Sequence, residues 1–169
     1  GDSNSDKAGG GAVCLIVTGT LEVDGLVVSD GLPLPSEKSD WKSGTGGSIL
    51  LFAGALTGSG TIRANGGRCG SSSLDSGSGG RIAVHQSVAA DFSAFTGRIV
   101  AAAGEGGLGR KDCQGGPGTV YLRAAGEAED EGTLVIDNDN RGYTYGSAAI
   151  TEGSGEFTVG SLVVTNGGM

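Results

Sequence analysis

The chain has 169 residues, 36 of them glycine, and a net charge of −8. Collagen would need glycine at every third position and abundant proline, and only 3 prolines occur. A flexible linker would lack apolar runs such as Val13–Val17 and Leu26–Val28. An acidic surface repels phosphate backbones, so no nucleic-acid partner is expected. With no run of about 18 apolar residues, no membrane span is expected either.

The chain opens Gly1-Asp2-Ser3-Asn4, with no initiator Met and no signal-type segment. It reads as a single domain over 1–169 and as a portion of something longer. The first patterned element is Gly10-Gly11-Ala12-Val13, which returns as Gly46-Gly47-Ser48-Ile49, Gly79-Gly80-Arg81-Ile82 and Gly116-Pro117-Gly118-Thr119-Val120. Its β-branched anchors fall at 13, 49, 82 and 120, separations of 36, 33 and 38. A second element begins at Leu26-Val27-Val28-Ser29-Asp30-Gly31 and returns at Thr61–Gly66, Arg98–Ala101 and Thr133–Asn138. Its anchors at 27, 62, 99 and 134 are 35, 37 and 35 apart, and Leu162–Gly167 reads as a fifth copy. Between them lies a third short segment, at Thr20–Val23, Ala55–Thr57 and Phe92–Phe95. Two markers returning at about 35 residues identify an internal repeat.

Three short strands per repeat, joined by Gly, Asp-Gly or Asn-Gly turns, predict an all-β right-handed parallel β-helix. Its coils fall near 10–45, 46–78, 79–115 and 116–140, with a partial one over 141–169. An antiparallel β-sandwich is the alternative, since short strands every 8–12 residues suit it as well. Val, Ile and Leu would stack inward, while corners needing positive φ would take Gly or Asn. Asp30, Asn65, Asp137 and Asn166 fall at matching corners as a turn ladder, a series that Ala102 breaks. As plain turn formers these residues need no further role.

The phrases Gly46–Leu51, Leu56–Gly67, Gly79–Val84 and Gly115–Leu122 resemble the glycine-rich segments of very large surface or secreted proteins of algae, oomycetes, other protists, plants and some bacteria. The resemblance covers roughly residues 9–125. It implies a β-helical element of a cell wall, surface hair or adhesive filament, and it specifies no chemistry.

Candidate site residues are few. Cys69 and Cys113 lie in the long glycine-rich excursions, which would leave the same edge of adjacent coils, and a disulfide between them would imply an oxidising compartment. Cys14, within Val13-Cys14-Leu15-Ile16, reads as a buried thiol. No CxxC occurs and His85 is the single histidine, so no metal site is expected. His85 has neither a Gly-x-Ser-x-Gly elbow nor a Cys partner to make it a general base. Glu127–Glu131 is an acidic cluster, read as a solvated loop or a loose calcium site. Trp41, Tyr143 and Tyr145 are candidates for stacking on sugar rings; the plainer reading of Trp41 is that it packs a loop insert over the solenoid edge.

The sequence therefore predicts an extracellular or cell-surface structural or adhesive element, without a cofactor and without catalysis. Its expected partners are copies of itself, neighbouring repeats or a polysaccharide. A carbohydrate-binding module is the second reading, and a β-helical polysaccharide lyase or hydrolase the third.

Overall fold

In the computed structural model, residues 8–33, 43–69, 76–106, 115–141 and 158–168 are described. They form nine strands and no helix: β1 (Ala12–Glu22), β2 (Leu26–Val28), β3 (Ser48–Thr57), β4 (Thr61–Arg63), β5 (Arg81–Gln86), β6 (Arg98–Val100), β7 (Thr119–Arg123), β8 (Thr133–Asp137) and β9 (Ser161–Thr165). The strands make a six-stranded sheet in the order β1-β3-β5-β7-β8-β9 and a three-stranded sheet in the order β2-β4-β6. All neighbours run parallel except β7 and β8.

Alternation builds the core. Along β1, β3, β5 and β7 every second residue turns inward, so Val13, Ile49, Ile82 and Val120 lie side by side in register. Leu15, Leu51, Val84 and Leu122 form the next inward row. From the small sheet, Val27, Ile62 and Ile99 align likewise. Ile49, Leu51, Leu56, Ile62, Ile82 and Val84 are each 2 % exposed or less. At about 25 cal/mol per Å² of apolar surface removed from water, these rows are the main stabilising term. In the large sheet Gln86 is in register with Ala53 and Val17 and is a buried polar residue, fully engaged: its Oε1 accepts from the Leu56 amide at 2.7 Å and its Nε2 donates to the Asp91 carbonyl at 2.8 Å. It supplies a partner to β3 where β5 has already stopped.

The architecture corrects the expected right-handed parallel β-helix. There are two sheets of unequal size instead of three matched ones, and the large one contains an antiparallel pair. The third expected strand is not independent: Thr20–Glu22 and Ala55–Thr57 continue β1 and β3 beyond an irregularity between Val17 and Thr20. Phe92–Phe95 forms only an isolated bridge, Phe95 to Gly58. The fourth copy of the second element, Thr133–Asp137, does not join β6. It turns back onto β7, pairing Val120 with Val135 and Leu122 with Thr133. The cause is local. Between β7 and β8 the Glu127 carboxylate accepts from the Ala124 amide at 2.7 Å and the Glu131 carboxylate from the Ala128 amide at 2.8 Å, and Gly126 adopts φ +88°. Two successive tight turns reverse the chain before it can reach the small sheet. The antiparallel β-sandwich is corrected too, since every other pairing is parallel.

Glycine serves a different purpose from the one expected. Asp30 and Asn65 are not among the residues with positive φ, which are Asp139, Asn140 and Asn166 with Gly58, Gly126 and Gly167. The Gly-Gly pairs sit where backbones converge. A Cβ on Gly47 would lie 2.5 Å from the carbonyl carbon of Gly10, one on Gly80 2.7 Å from that of Gly46, and one on Gly118 2.7 Å from that of Gly79. At the same points the Gly47, Gly80 and Gly118 amides donate to the carbonyls of Ser29, Ala64 and Ala101 at 2.6–2.7 Å. These hydrogen bonds tie the end of the second element to the start of the next repeat, and only a residue without a side chain fits there.

Candidate functional site

The same alternation that fills the core projects a second set of side chains outward from β1, β3, β5 and β7. One outward row is Cys14, Leu50, Ala83, Tyr121; the next is Ile16, Phe52, His85, Arg123. Ile16 is 75 % and Phe52 36 % exposed. Only Arg123 in these rows carries a fixed charge. Cys14 is exposed, a correction of the expected buried thiol: with Val13 facing in, its neighbour must face out. Two open grooves follow the rows, one of about 480 Å³ along Cys14, Leu50, Ala83 and Tyr121, the other of about 240 Å³ along Ile16, Phe52, His85 and Arg123.

His85 lies at the centre of this face. Its ring stacks on Phe52 with centroids 4.8 Å apart and planes 16° from parallel, and it meets Tyr121 at 5.8 Å and 59°. Desolvation pushes its pKa below the usual 6.5, with Arg123 acting in the same direction and Glu129 opposing. Its Nδ1 is buried with no hydrogen-bond partner among the described residues. Burial thus favours the neutral imidazole, which sits as one ring of an aromatic stack. Tyr121 is anchored at its far end: its hydroxyl donates to the Glu129 carbonyl at 2.6 Å and accepts from the Gly132 amide at 3.1 Å. The stack is fixed to the reversal between β7 and β8. Such a surface can cover flat apolar faces.

The turn ladder divides into two pairs. Asp30 Oδ1 accepts from the Asn65 amide at 2.8 Å, and Asn65 Oδ1 accepts from the Ala102 amide at 2.9 Å, so each side chain satisfies the backbone of the next repeat. Asp30 also pairs with Arg63, Nε to Oδ2 2.7 Å. Asn138, not Asp137, meets this series from the opposite side: its Oδ1 accepts from the Ala103 amide of the earlier repeat at 2.9 Å. Asp137 and Asn166 form a separate contact on β8 and β9, Nδ2 to Oδ2 3.2 Å. Sequence comparison missed Asn138 because the repeat aligned its neighbour with Asn65.

Cys69 is buried where two repeats run together, its amide donating to the Glu105 carbonyl at 2.9 Å. Cys113 lies outside the described residues, as do Trp41, Tyr143 and Tyr145. In the acidic cluster, Glu127 and Glu131 are occupied in closing their own turns. Among the described residues no group of three or more His, Cys, Asp or Glu could hold a metal ion. Phe52, His85 and Tyr121 were not singled out together from the sequence, yet the signal was there: Ile16, Phe52, His85 and Arg123 each lie three residues beyond a repeat anchor. Comparison with protein-family models, with curated proteins and with solved structures finds no match.

Proposed function

We propose that the chain is an extracellular structural or adhesive repeat element of a cell-surface, cell-wall or filament assembly, acting through contact and not through catalysis. One observation carries this reading: the outward rows of four neighbouring strands present a continuous surface, charged only at Arg123 and, on its margin, Arg81, with Ile16 and Phe52 exposed. Contiguous apolar patches on a protein surface mark interaction sites, and a sheet face repeats the same contact along its width. An extracellular setting also agrees with the proposed Cys69–Cys113 disulfide, which an oxidising compartment would maintain.

A polysaccharide is the second kind of partner, favoured by the Phe52–His85–Tyr121 stack, because sugar rings offer flat C–H faces to aromatic rings. Retention of labelled protein on insoluble cell-wall material and on a glycan array tests both. The Ile16→Ser/Phe52→Ser double variant is expected to lose at least ten-fold in retention on cell-wall material while keeping its thermal transition. Retention unchanged in that variant would overturn the reading. Retention on defined glycans, lost in Phe52→Ala, selects the carbohydrate-binding form.

A further inference from the structure

Positive charge is unevenly placed on this chain, and the outward face of the large sheet holds the exception. The described residues include six arginines. Four are paired with carboxylates: Arg63 with Asp30, Arg68 with Glu105, and both Arg98 and Arg141 with Asp139. Arg81 and Arg123 have no carboxylate partner among the described residues. Both belong to the outward face. Arg81 stands in register between Ser48 and Thr119, and Arg123 beside His85 and Phe52. With Ala12, Ser48, Arg81 and Thr119 as the first outward row, the three rows contain no Asp or Glu. A chain of net charge −8 thus keeps one face free of acids and leaves its two guanidinium groups unneutralised.

A guanidinium matches an oxyanion with two parallel N–H donors. Arg81 lines an open groove of about 340 Å³ together with the hydroxyl residues Ser48, Ser78 and Thr119. Arg123 lines the groove that holds Phe52 and His85. The two rows are four residues apart along β5, about 13 Å at roughly 3.3 Å per residue. Between them lie Leu50, Ala83 and Tyr121, without charge. From this arrangement we infer that the face binds an acidic polysaccharide lying along the strands, with acid groups on Arg81 and Arg123 and the C–H groups of its rings against Phe52 and His85. A sugar polymer fits better than an acidic peptide because it brings hydroxyls as well as acids and apolar ring faces. Hydroxyls flank one guanidinium here and aromatic rings the other. The net charge of the chain opposes a polyanion only at a distance, since salt at physiological strength screens beyond about 8 Å. The inference rests on the contact reading of this face given above and names the class of its partner.

His85 is the single histidine of the chain, so its ring resonances in an NMR titration report on this face alone. Oligogalacturonate or a sulfated glucan oligomer, added separately to the whole protein, is expected to shift them; the one that does so identifies the acid group taken. A neutral glucan oligomer at the same concentration is expected to leave them in place. Arg81→Gln and Arg123→Gln are each expected to weaken retention on the immobilised acidic glycan by about ten-fold, what one charge-assisted hydrogen bond contributes. Their thermal transitions are expected to stay unchanged. Arg98→Gln removes the same charge from the small sheet, where Arg98 pairs with Asp139, and is expected to bind fully. Unmoved His85 signals with both acidic oligomers, equal losses in all three arginine variants, or equal retention on polyglutamate would each overturn the inference. Retention on cell-wall material that needs Ile16 and Phe52 but survives both Arg81→Gln and Arg123→Gln would leave the functional reading standing and remove this one.

Discussion

Leu26-Val27-Val28-Ser29-Asp30-Gly31 and Leu162-Val163-Val164-Thr165-Asn166-Gly167 are almost the same phrase, yet they end in different places. The first supplies β2, paired in register with β4 in the small sheet; the second supplies β9, at the margin of the large one. Around β1–β6 every pairing is parallel and two sheets face each other across buried Ile49, Leu51 and Ile62. Around β8–β9 the large sheet continues past the last strand of the small one, and all five residues of β9 are exposed. A strand's sequence decides which of its faces is apolar, but the connection that delivers it decides which sheet it joins. The carboxylate-closed turns before β8 make that decision here.

The contrast can be broken most severely at glycine. Gly80→Ala sets a Cβ against the backbone of the preceding repeat, and the transition of the β1–β6 body is expected to lose more than about 3 kcal/mol in urea denaturation. Gly126→Ala, at φ +88° with open space around it, is expected to cost only about 1–2 kcal/mol, the strain of a left-handed alanine. Equal losses at the two sites would mean that close approach and backbone conformation are not the distinct demands drawn here. A smaller effect sharpens the same division: Asn65→Ala leaves the buried Ala102 amide without its acceptor and is expected to cost about 1–3 kcal/mol, whereas Thr165→Ala on exposed β9 stays within about 0.5 kcal/mol. The smallest effect belongs to His85. Its pKa is lowered in the folded state, so the unfolded chain takes up the proton first; its contribution is present above the usual 6.5 and declines as pH falls below it. His85→Phe keeps the stack and is expected to remove that slope below pH 6.5, as read by thermal melts.

Much of the body was legible from the repeat alone. The anchors Val13, Ile49, Ile82 and Val120 stand side by side as their spacing implied, because inward stacking tolerates only one register. The β-helix fails because apolar periodicity marks strands without saying where the chain reverses; the signal for that is Ala124–Glu131, of which Glu127–Glu131 reads from sequence as a solvated loop or a loose calcium site. The glycines were recognised as geometric but assigned to corners, since sequence cannot separate a residue needed for its φ from one needed for its missing Cβ. The outward face was overlooked for a related reason. In the sequence His85 stands as an isolated candidate base, because its neighbours in space, Phe52 and Tyr121, lie more than thirty residues away in the chain.

The places where the chain leaves and re-enters the body are themselves fastened together. The Gly44 amide donates to the Leu32 carbonyl and the Gly77 amide to the Gly67 carbonyl, each at 3.1 Å, while Gly67 and Gly104 donate across to Gly44 and Gly77. Whatever lies between residues 33 and 43, or between 69 and 76, is clamped at its two ends. Doubling the length of such a segment costs only about 0.6 kcal/mol in closure entropy. Peptides inserted at the margin built from these clamps are accordingly expected to cost the body little stability, because the described ends are held by the body itself.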